Sequence, residues 1–228
     1  MKIALLGYGR MGKAIEKIAV ERGHTIVAKI DKYNENESYM ADVAINFSVP
    51  SAAYKNISDA LKIGIPVICG TTGWLDQLGE IESLCQEHDG AFIYASNFSL
   101  GVNLFFELNK KLAKMMAKHP HYDISIEEIH HTKKIDKPSG TAITLAEGAS
   151  SDQKWHLKED NGEGIQISAV RKDDVPGTHT VTHYSEIDEI SITHTAHNRH
   201  GFALGAVVAA EWILGKKGIF SIQDVLQL

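Results

Sequence analysis

The chain has 228 residues, 43% of them hydrophobic and 23% charged, with a formal net charge of −6. This is the balance of a folded globular protein, and the negative charge disfavours a whole-protein attraction to nucleic acid or an anionic membrane. No apolar run approaches a membrane span, the opening MKIALLGYGRMGKAIEK has too short an apolar stretch for a signal peptide, and Cys69 and Cys85 lack C-x-x-C spacing, which fits a reducing cytosol better than a disulfide framework or a thiolate zinc site.

In chain order, Lys2 to Leu6 read as a short strand that ends at Gly7. The segment KAIEKIAVERG follows the turn GYGRMG, with Ala14, Ile15, Ile18 and Ala19 at helical spacing and Gly23 as a stop signal. HTIVAKID is a second strand and ADVAINFS a third. PSAAYKNISDALKIG reads as a helix opened by Pro50 and closed by Gly64. IPVIC is a strand with GTTG at its end, WLDQLGEIESLCQEH a helix, and AFIYAS a strand before the loop NFSLG. Strands alternating with helices predict a parallel sheet covered on both faces.

Beyond about Gly101 the pattern changes. VNLFFELNKKLAKMMAKH predicts a long helix with Leu104, Phe105, Leu108, Leu112, Met115 and Met116 on one side. YDISIEEIHH, GIQISAVRK, GTHTVTHYS and DEISITHTAH alternate as strands of a mostly antiparallel sheet covered on one face. ASSDQKWHLKEDNGEG reads as a polar loop, and GFALGAVVAAEWILGK as a helix that returns to the first domain. The predicted domains are 1–99, completed by 201–228, and 100–200.

Gly7, Gly9 and Gly12 form G-x-G-x-x-G between a strand and a helix. The first glycine permits a tight turn, the second a close backbone approach to a pyrophosphate, and the third helix–strand packing; the amides at the helix start then face the phosphates. Asp31 follows Gly12 by 19 residues, where a ribose-binding carboxylate belongs. Its charge favours NAD, and Lys32 beside it leaves NADP use open. Arg10 is a candidate phosphate or adenine contact. At the other strand ends, Thr71 and Thr72 either bond the cofactor or satisfy turn amides, and Phe98 either lies against the nicotinamide or belongs to the core.

The stretch EEIHHTKKIDKPSGTA concentrates chemistry. Strand alternation puts Glu128 and His130 on one face and His131 on the other. Glu128 either tunes His130 or is a solvated strand residue. PSGTAITLAEGA predicts a helix with Ser139 at its cap, whose first-turn amides and positive dipole end suit a carboxylate. Lys133, Lys134 and Lys137 add positive charge. The residues describe an anionic substrate at a helix start, with His130 or Lys134 to protonate a C=N or C=C group that accepts hydride. Among 12 histidines, His179 and His183 share a strand face, and His194, His197 and His200 follow. No acidic or cysteine ligand is patterned with them, so no metal is expected.

EIHHTKKIDKPSGTA resembles the signature E-x-H-H-x-x-K-x-D-x-P-S-G-T-A of the 4-hydroxy-tetrahydrodipicolinate (dihydrodipicolinate) reductase family. GYGRMGKA, GTTGW, NFSLGVN and the tail ITHTAHNRHGFALGAVVAAEWI are similar to that family's other motifs, in order over nearly the whole chain. The resemblance implies an α/β Rossmann-like parallel-sheet nucleotide domain and an α+β substrate and tetramerisation domain with a mostly antiparallel, mixed sheet. It implies NADH or NADPH as reductant, a cyclic imine dicarboxylate as substrate, a homotetramer in the cytoplasm, and neither nucleic acid nor membrane as partner. By position it implies catalysis by His130 and Lys134, and substrate binding by His131, Ser139, Gly140 and Thr141. The implied cofactor site comprises Gly7, Tyr8, Gly9, Arg10, Met11, Gly12, Asp31, Lys32, Gly70, Thr71, Thr72, Ala95, Ser96, Asn97 and Phe98. The glycine loop is one residue shorter than the family's longer form, and Ser96 stands where a small apolar residue is usual.

Two other readings compete. Another small-molecule dehydrogenase of similar two-domain build would share the glycine loop without reason to carry H-H-x-x-K-x-D-x-P-S-G-T. A nucleotide-sensing regulator would be expected to have lost His130 or Lys134, and both are present.

Overall fold

The computed structural model describes residues 1–34, 39–150, 152–160, 162–198 and 200–228. They divide into two compact units, 1–100 with 200–228, and 101–199.

In the first unit six parallel strands run in the order β11-β5-β4-β3-β1-β2. They are β1 (Lys2–Leu6), β2 (Thr25–Ile30), β3 (Val43–Asn46), β4 (Val67–Cys69), β5 (Ala91–Tyr94) and, near the C-terminus, β11 (Gly218–Phe220). The crossovers are α1 (Arg10–Glu21), α2 (Pro50–Lys62) and α3 (Leu78–Glu87), with α6 (His200–Ile213) and α7 (Ile222–Leu226) added by the tail. Alternation along β1 sorts the core. Ile3 and Leu5 pack with Ile15 and Ile18 of α1 and with Ala206, Val207 and Ile213 of α6. Ala4 and Leu6 pack with Ala53, Ile57 and Leu61 of α2 and with Ile81 and Cys85 of α3. Both faces are therefore covered, which is why these strands read as near-continuous apolar runs. The tail contributes an edge strand as well as the expected helix.

The second unit is a five-stranded sheet in the order β10-β9-β6-β8-β7. Its strands are β6 (Asp123–His130), β7 (Trp155–Leu157), β8 (Ile165–Arg171), β9 (Gly177–Tyr184) and β10 (Glu189–Ala196), accompanied by α4 (Leu100–Met116) and α5 (Gly140–Ala149). β6 pairs antiparallel with β9 and parallel with β8, and β7 joins β8 in parallel. The sheet is thus evenly mixed, not mostly antiparallel, and Trp155–Leu157 form a strand where the sequence reads as loop. Phe105, Ile126, Leu145, Ile165, Ile167 and Val181 build its core.

The apolar stripe predicted for α4 is displaced. Leu104, Leu108 and Met115 are exposed, whereas Val102, Asn103, Phe105, Asn109 and Leu112 are buried. Asn109 tolerates burial because its side-chain amide donates to the Leu145 carbonyl at 2.8 Å.

Candidate active site

In the first unit the glycine loop has the predicted build. Gly7 sits at φ +99°, and a Cβ there would lie 2.3 Å from the Phe47 carbonyl oxygen; a Cβ at Gly12 would lie 2.4 Å from that of Gly7. Both positions exclude any side chain. Around Gly9 the space is open, and Gly9 caps α1 without a side-chain hydrogen bond to the first-turn amides. Uncapped amides beside open space are what a pyrophosphate requires, so the chain fits a dinucleotide there. Tyr8 is held aside, its hydroxyl donating to Glu16, while Lys29 lies 4.8 Å from its ring centroid and 2.7 Å from Glu16. Arg10 is exposed at the helix start and Met11 half-buried. Asp31 follows the last residue of β2, exposed, with Oδ1 accepting from the Tyr33 amide at 2.9 Å. Lys32 lies over the Tyr33 ring, 4.8 Å from its centroid.

The neighbouring strand ends divide between scaffold and surface. Thr71 is buried, and its hydroxyl accepts from the Ser48 amide at 2.9 Å and from Asn46 Nδ2 at 3.2 Å. It ties two strand-end loops together, the turn-satisfying alternative of the two read from sequence. A Cβ at Gly70 would enter the Phe47 ring, so Gly70 also serves packing. Thr72 and Ser96 are exposed, Asn97 half-buried and Ala95 buried. Phe98 is 1% exposed and packs against Phe47 at 5.8 Å, so its ring is core and is not presented for stacking.

In the second unit, strand alternation carries Ile126, Glu128 and His130 onto the covered face of the sheet, and the face turns from apolar to polar toward the C-terminal end of β6. Glu128 is opposite His179 in the register, and His130 opposite Arg171. The Glu128 carboxylate is fully buried. Ser139 N–H donates to both of its oxygens at 3.1 Å, and Arg171 donates to Oε1 from Nη1 at 3.3 Å and Nη2 at 3.2 Å. His130 Nδ1 stands 3.3 Å from Oε2, within ion-pair range though without good hydrogen-bond direction, and His179 Nε2 stands 3.7 Å away. Burial pushes the Glu128 carboxyl up, but His130 and Ser139 outweigh it and hold the carboxyl at about 2. Burial, then the charge of His130, push His179 down to about 3, so His179 is neutral; its Nε2 lies 3.2 Å from Ser139 Oγ.

Ser139 caps α5 as predicted, its Oγ accepting from the Ala142 amide at 3.1 Å. Gly140 is exposed and Thr141 half-buried at the helix start. The preceding loop carries Lys134, whose Nζ lies 2.8 and 2.7 Å from the two Asp136 carboxylate oxygens. Lys137 pairs with Glu159 at 2.5 Å, which assigns its charge elsewhere. His131 is half-buried with an unpartnered Nδ1, Lys133 is exposed, and the tail arginine at 199 lies outside the described residues. A cleft of about 630 Å3 opens at the opposite end of β6, beside Asp123 and His183; none of the predicted site residues lines it.

Three ligand-type atoms of Glu128, His130 and His179 lie within 4.8 Å of one another, a grouping the histidine pattern did not anticipate. Arg171 already supplies this carboxylate with a cation, which weighs against a second one. By type and position Glu128 suits a tuning or a solvated role, and burial excludes the solvated one. Its partners Arg171 and His179 come from other strands and are not legible from its own segment. Only an arginine ending one alternating strand and a histidine on the inward face of another hinted at them.

The description "Dihydrodipicolinate reductase, N-terminus" matches residues 1–98, and "Dihydrodipicolinate reductase, C-terminus" matches residues 101–226. The 4-hydroxy-tetrahydrodipicolinate reductase of Christiangramia forsetii is 58% identical, over 99% of this chain and 98% of that one. The reductase of the same name from Thermosipho africanus is 36% identical, over 100% and 98%. The solved structure of dipicolinate-bound dihydrodipicolinate reductase from Paenisporosarcina sp. TG-14 superposes with a TM-score of 0.76 over 97% of each chain at 22% identity, a likeness of fold.

Proposed function

The chain belongs to the dihydrodipicolinate reductase family, and from that membership we propose how its residues share the work. The reaction converts 4-hydroxy-tetrahydrodipicolinate, NADH or NADPH, and a proton into tetrahydrodipicolinate, NAD(P)+ and water, a step of lysine and diaminopimelate biosynthesis. Bound nicotinamide cofactor supplies the hydride. The first unit holds it through the α1 amides at Gly9 to Gly12, with Tyr8, Arg10 and Met11 around that turn, Asp31 and Lys32 at the ribose, and Gly70 to Thr72 and Ala95 to Phe98 at the other strand ends. Thr71 and Phe98 contribute backbone only, their side chains being buried in the scaffold.

The second unit binds the substrate. One carboxylate lies at the α5 start, against Ser139, Gly140 and Thr141; His131 contacts the ring. Lys134 donates the proton that balances the incoming hydride, and His130 relays or accepts protons as the hydroxyl leaves as water. The observation that carries this reading is the Glu128 carboxylate, which accepts from the Ser139 amide at the helix start with both oxygens and faces the His130 imidazole with Oε2. Oxidation of NADH or NADPH in the presence of substrate generated from pyruvate and aspartate semialdehyde tests it, with His130→Gln and Thr141→Val expected to separate rate loss from substrate-affinity loss.

The same reading makes the protein a cytoplasmic homotetramer assembled through its second unit. Exposed hydroxyl pairs Thr180–Thr193 at 3.0 Å and Thr182–Ser191 at 2.9 Å line the open face of β9 and β10, a polar sheet face that suits a partner sheet. No described helix is long and apolar enough to cross a membrane.

A further inference from the structure

Arg171 bonds three groups at once, one of them its neighbour's carbonyl, since Nη1 also donates to the Val170 carbonyl oxygen at 3.0 Å. Besides Glu128, its Nη2 donates to the Asp136 backbone carbonyl at 2.7 Å. Glu128 in turn holds the Ser139 amide and faces His130. The loop from Thr132 to Pro138, which carries Lys134, is therefore fastened near its far end by Arg171, which reaches Asp136, and at its exit by Glu128, which reaches Ser139. Both fasteners belong to one ion pair whose carboxylate is 0% exposed.

We propose that the Glu128–Arg171 pair is a positioning device for the reaction: it fixes the His130 ring, the loop bearing Lys134 and the carboxylate-binding helix start in one geometry. The proposal rests on the functional reading above and deepens it, since neither residue touches substrate in that scheme. A plain stabilising role explains the arrangement less well. A buried ion pair is weak support for stability, because desolvation of both charges offsets their attraction. An apolar pair would fill the same space at lower desolvation cost, but it would release the Asp136 carbonyl and the Ser139 amide and leave His130 without its facing carboxylate. The guanidinium fork suits this role, because its five donors reach a carboxylate and a carbonyl together. His179 completes the surround, its Nε2 against Ser139 Oγ and its ring edge-on to His130 at 4.9 Å between centroids.

The test compares Glu128→Gln, Glu128→Asp and the double variant Glu128→Gln/Arg171→Met with the unaltered enzyme and with Lys134→Ala. The measurements are kcat, the KM for each substrate, and NADH affinity by fluorescence. A shift of about 1 Å in reacting groups can cost on the order of 10²-fold in rate. Glu128→Gln is expected to lose about that much kcat and to raise the KM for the cyclic substrate, while the KM and affinity for NADH stay within about twofold. Glu128→Asp is expected to recover part of the loss because the charge remains. The double variant removes the buried Glu128 charge together with its partly buried Arg171 partner, so it leaves no unpaired charge behind; it is expected to be as impaired as the worse single change. Turnover near that of the unaltered enzyme in Glu128→Gln or the double variant overturns the proposal. So does a kcat loss that merely tracks the folded fraction, with both KM values unchanged. Full turnover in Lys134→Ala contradicts the functional reading itself, and its loss there beside full turnover in Glu128→Gln contradicts this proposal alone.

Discussion

Lys134 Nζ bridges both carboxylate oxygens of Asp136, at 2.8 and 2.7 Å, two residues further along the same loop. Asp136 is largely exposed, so the pair adds only about 0–1 kcal/mol to stability. Its consequence is orientation: it restrains a flexible four-carbon stem. Asp136→Asn is therefore expected to lower kcat while the melting temperature moves by no more than about 2–4 °C, the shift that ~1 kcal/mol produces in a protein of this size. Steady-state kinetics and a thermal melt check both halves.

The glycine loop separates packing from ligand contact. Gly7→Ala places a side chain at φ +99° and against the Phe47 carbonyl, and is expected to cost at least about 1–3 kcal/mol of stability. Gly9→Ala meets open space and is expected to leave the melt unchanged but weaken NADH binding by about tenfold or more, because its methyl group occupies the pyrophosphate's approach. Titration of NADH fluorescence beside a melt of each variant distinguishes the two roles.

Stability falls with acid along a slope that steepens once a second group joins. The His179 imidazole is held down at about 3, below its ordinary 6.5, so the unfolded chain binds the proton first and stability falls as pH drops below 6.5 toward 3. The Glu128 carboxyl is held at about 2, below its ordinary 4.5, so its contribution is complete above 4.5 and is lost as pH falls through about 2. Both act in the same direction, and the slope steepens below pH 4.5. In His179→Asn the slope between 6.5 and 4.5 is expected to shrink without vanishing, because burial also lowers His183 and His194. Urea denaturation at stepped pH measures it.

In the proposed reading, cofactor choice turns on Asp31. A carboxylate at the end of β2 repels a ribose 2′-phosphate, so Asp31→Ser is expected to raise the kcat/KM for NADPH relative to NADH. Lys32→Ala is expected to move the ratio the other way. Parallel assays with the two cofactors decide both.

Much of this was legible in the chain because it depends on local rules. The β1–α1 turn follows from where glycine alone fits, the α5 start from a serine cap, and the doubly covered sheet from uninterrupted apolar strands. The rest depends on which strands meet. Glu128 and Arg171 are 43 residues apart, and only the parallel pairing of β6 with β8 brings them together. Phe98 suits both a ring-stacking and a core role by type, and its position against Phe47 decides. On α4, Leu104, Leu108 and Met115 make as good an apolar stripe as the buried one. The buried face carries Phe105, in the core cluster with Ile126 and Leu145, together with Leu112, and Asn109 joins it by donating to the Leu145 carbonyl.

The most direct measurement is NADH and NADPH oxidation by the purified protein, with the cyclic substrate formed in place by a synthase, for the unaltered chain and for Lys134→Ala. Rapid oxidation that falls by roughly 10²–10⁴ in Lys134→Ala, with NADH binding intact, is the predicted result. NADH binding without turnover of this substrate, or turnover unchanged by Lys134→Ala, would contradict the account.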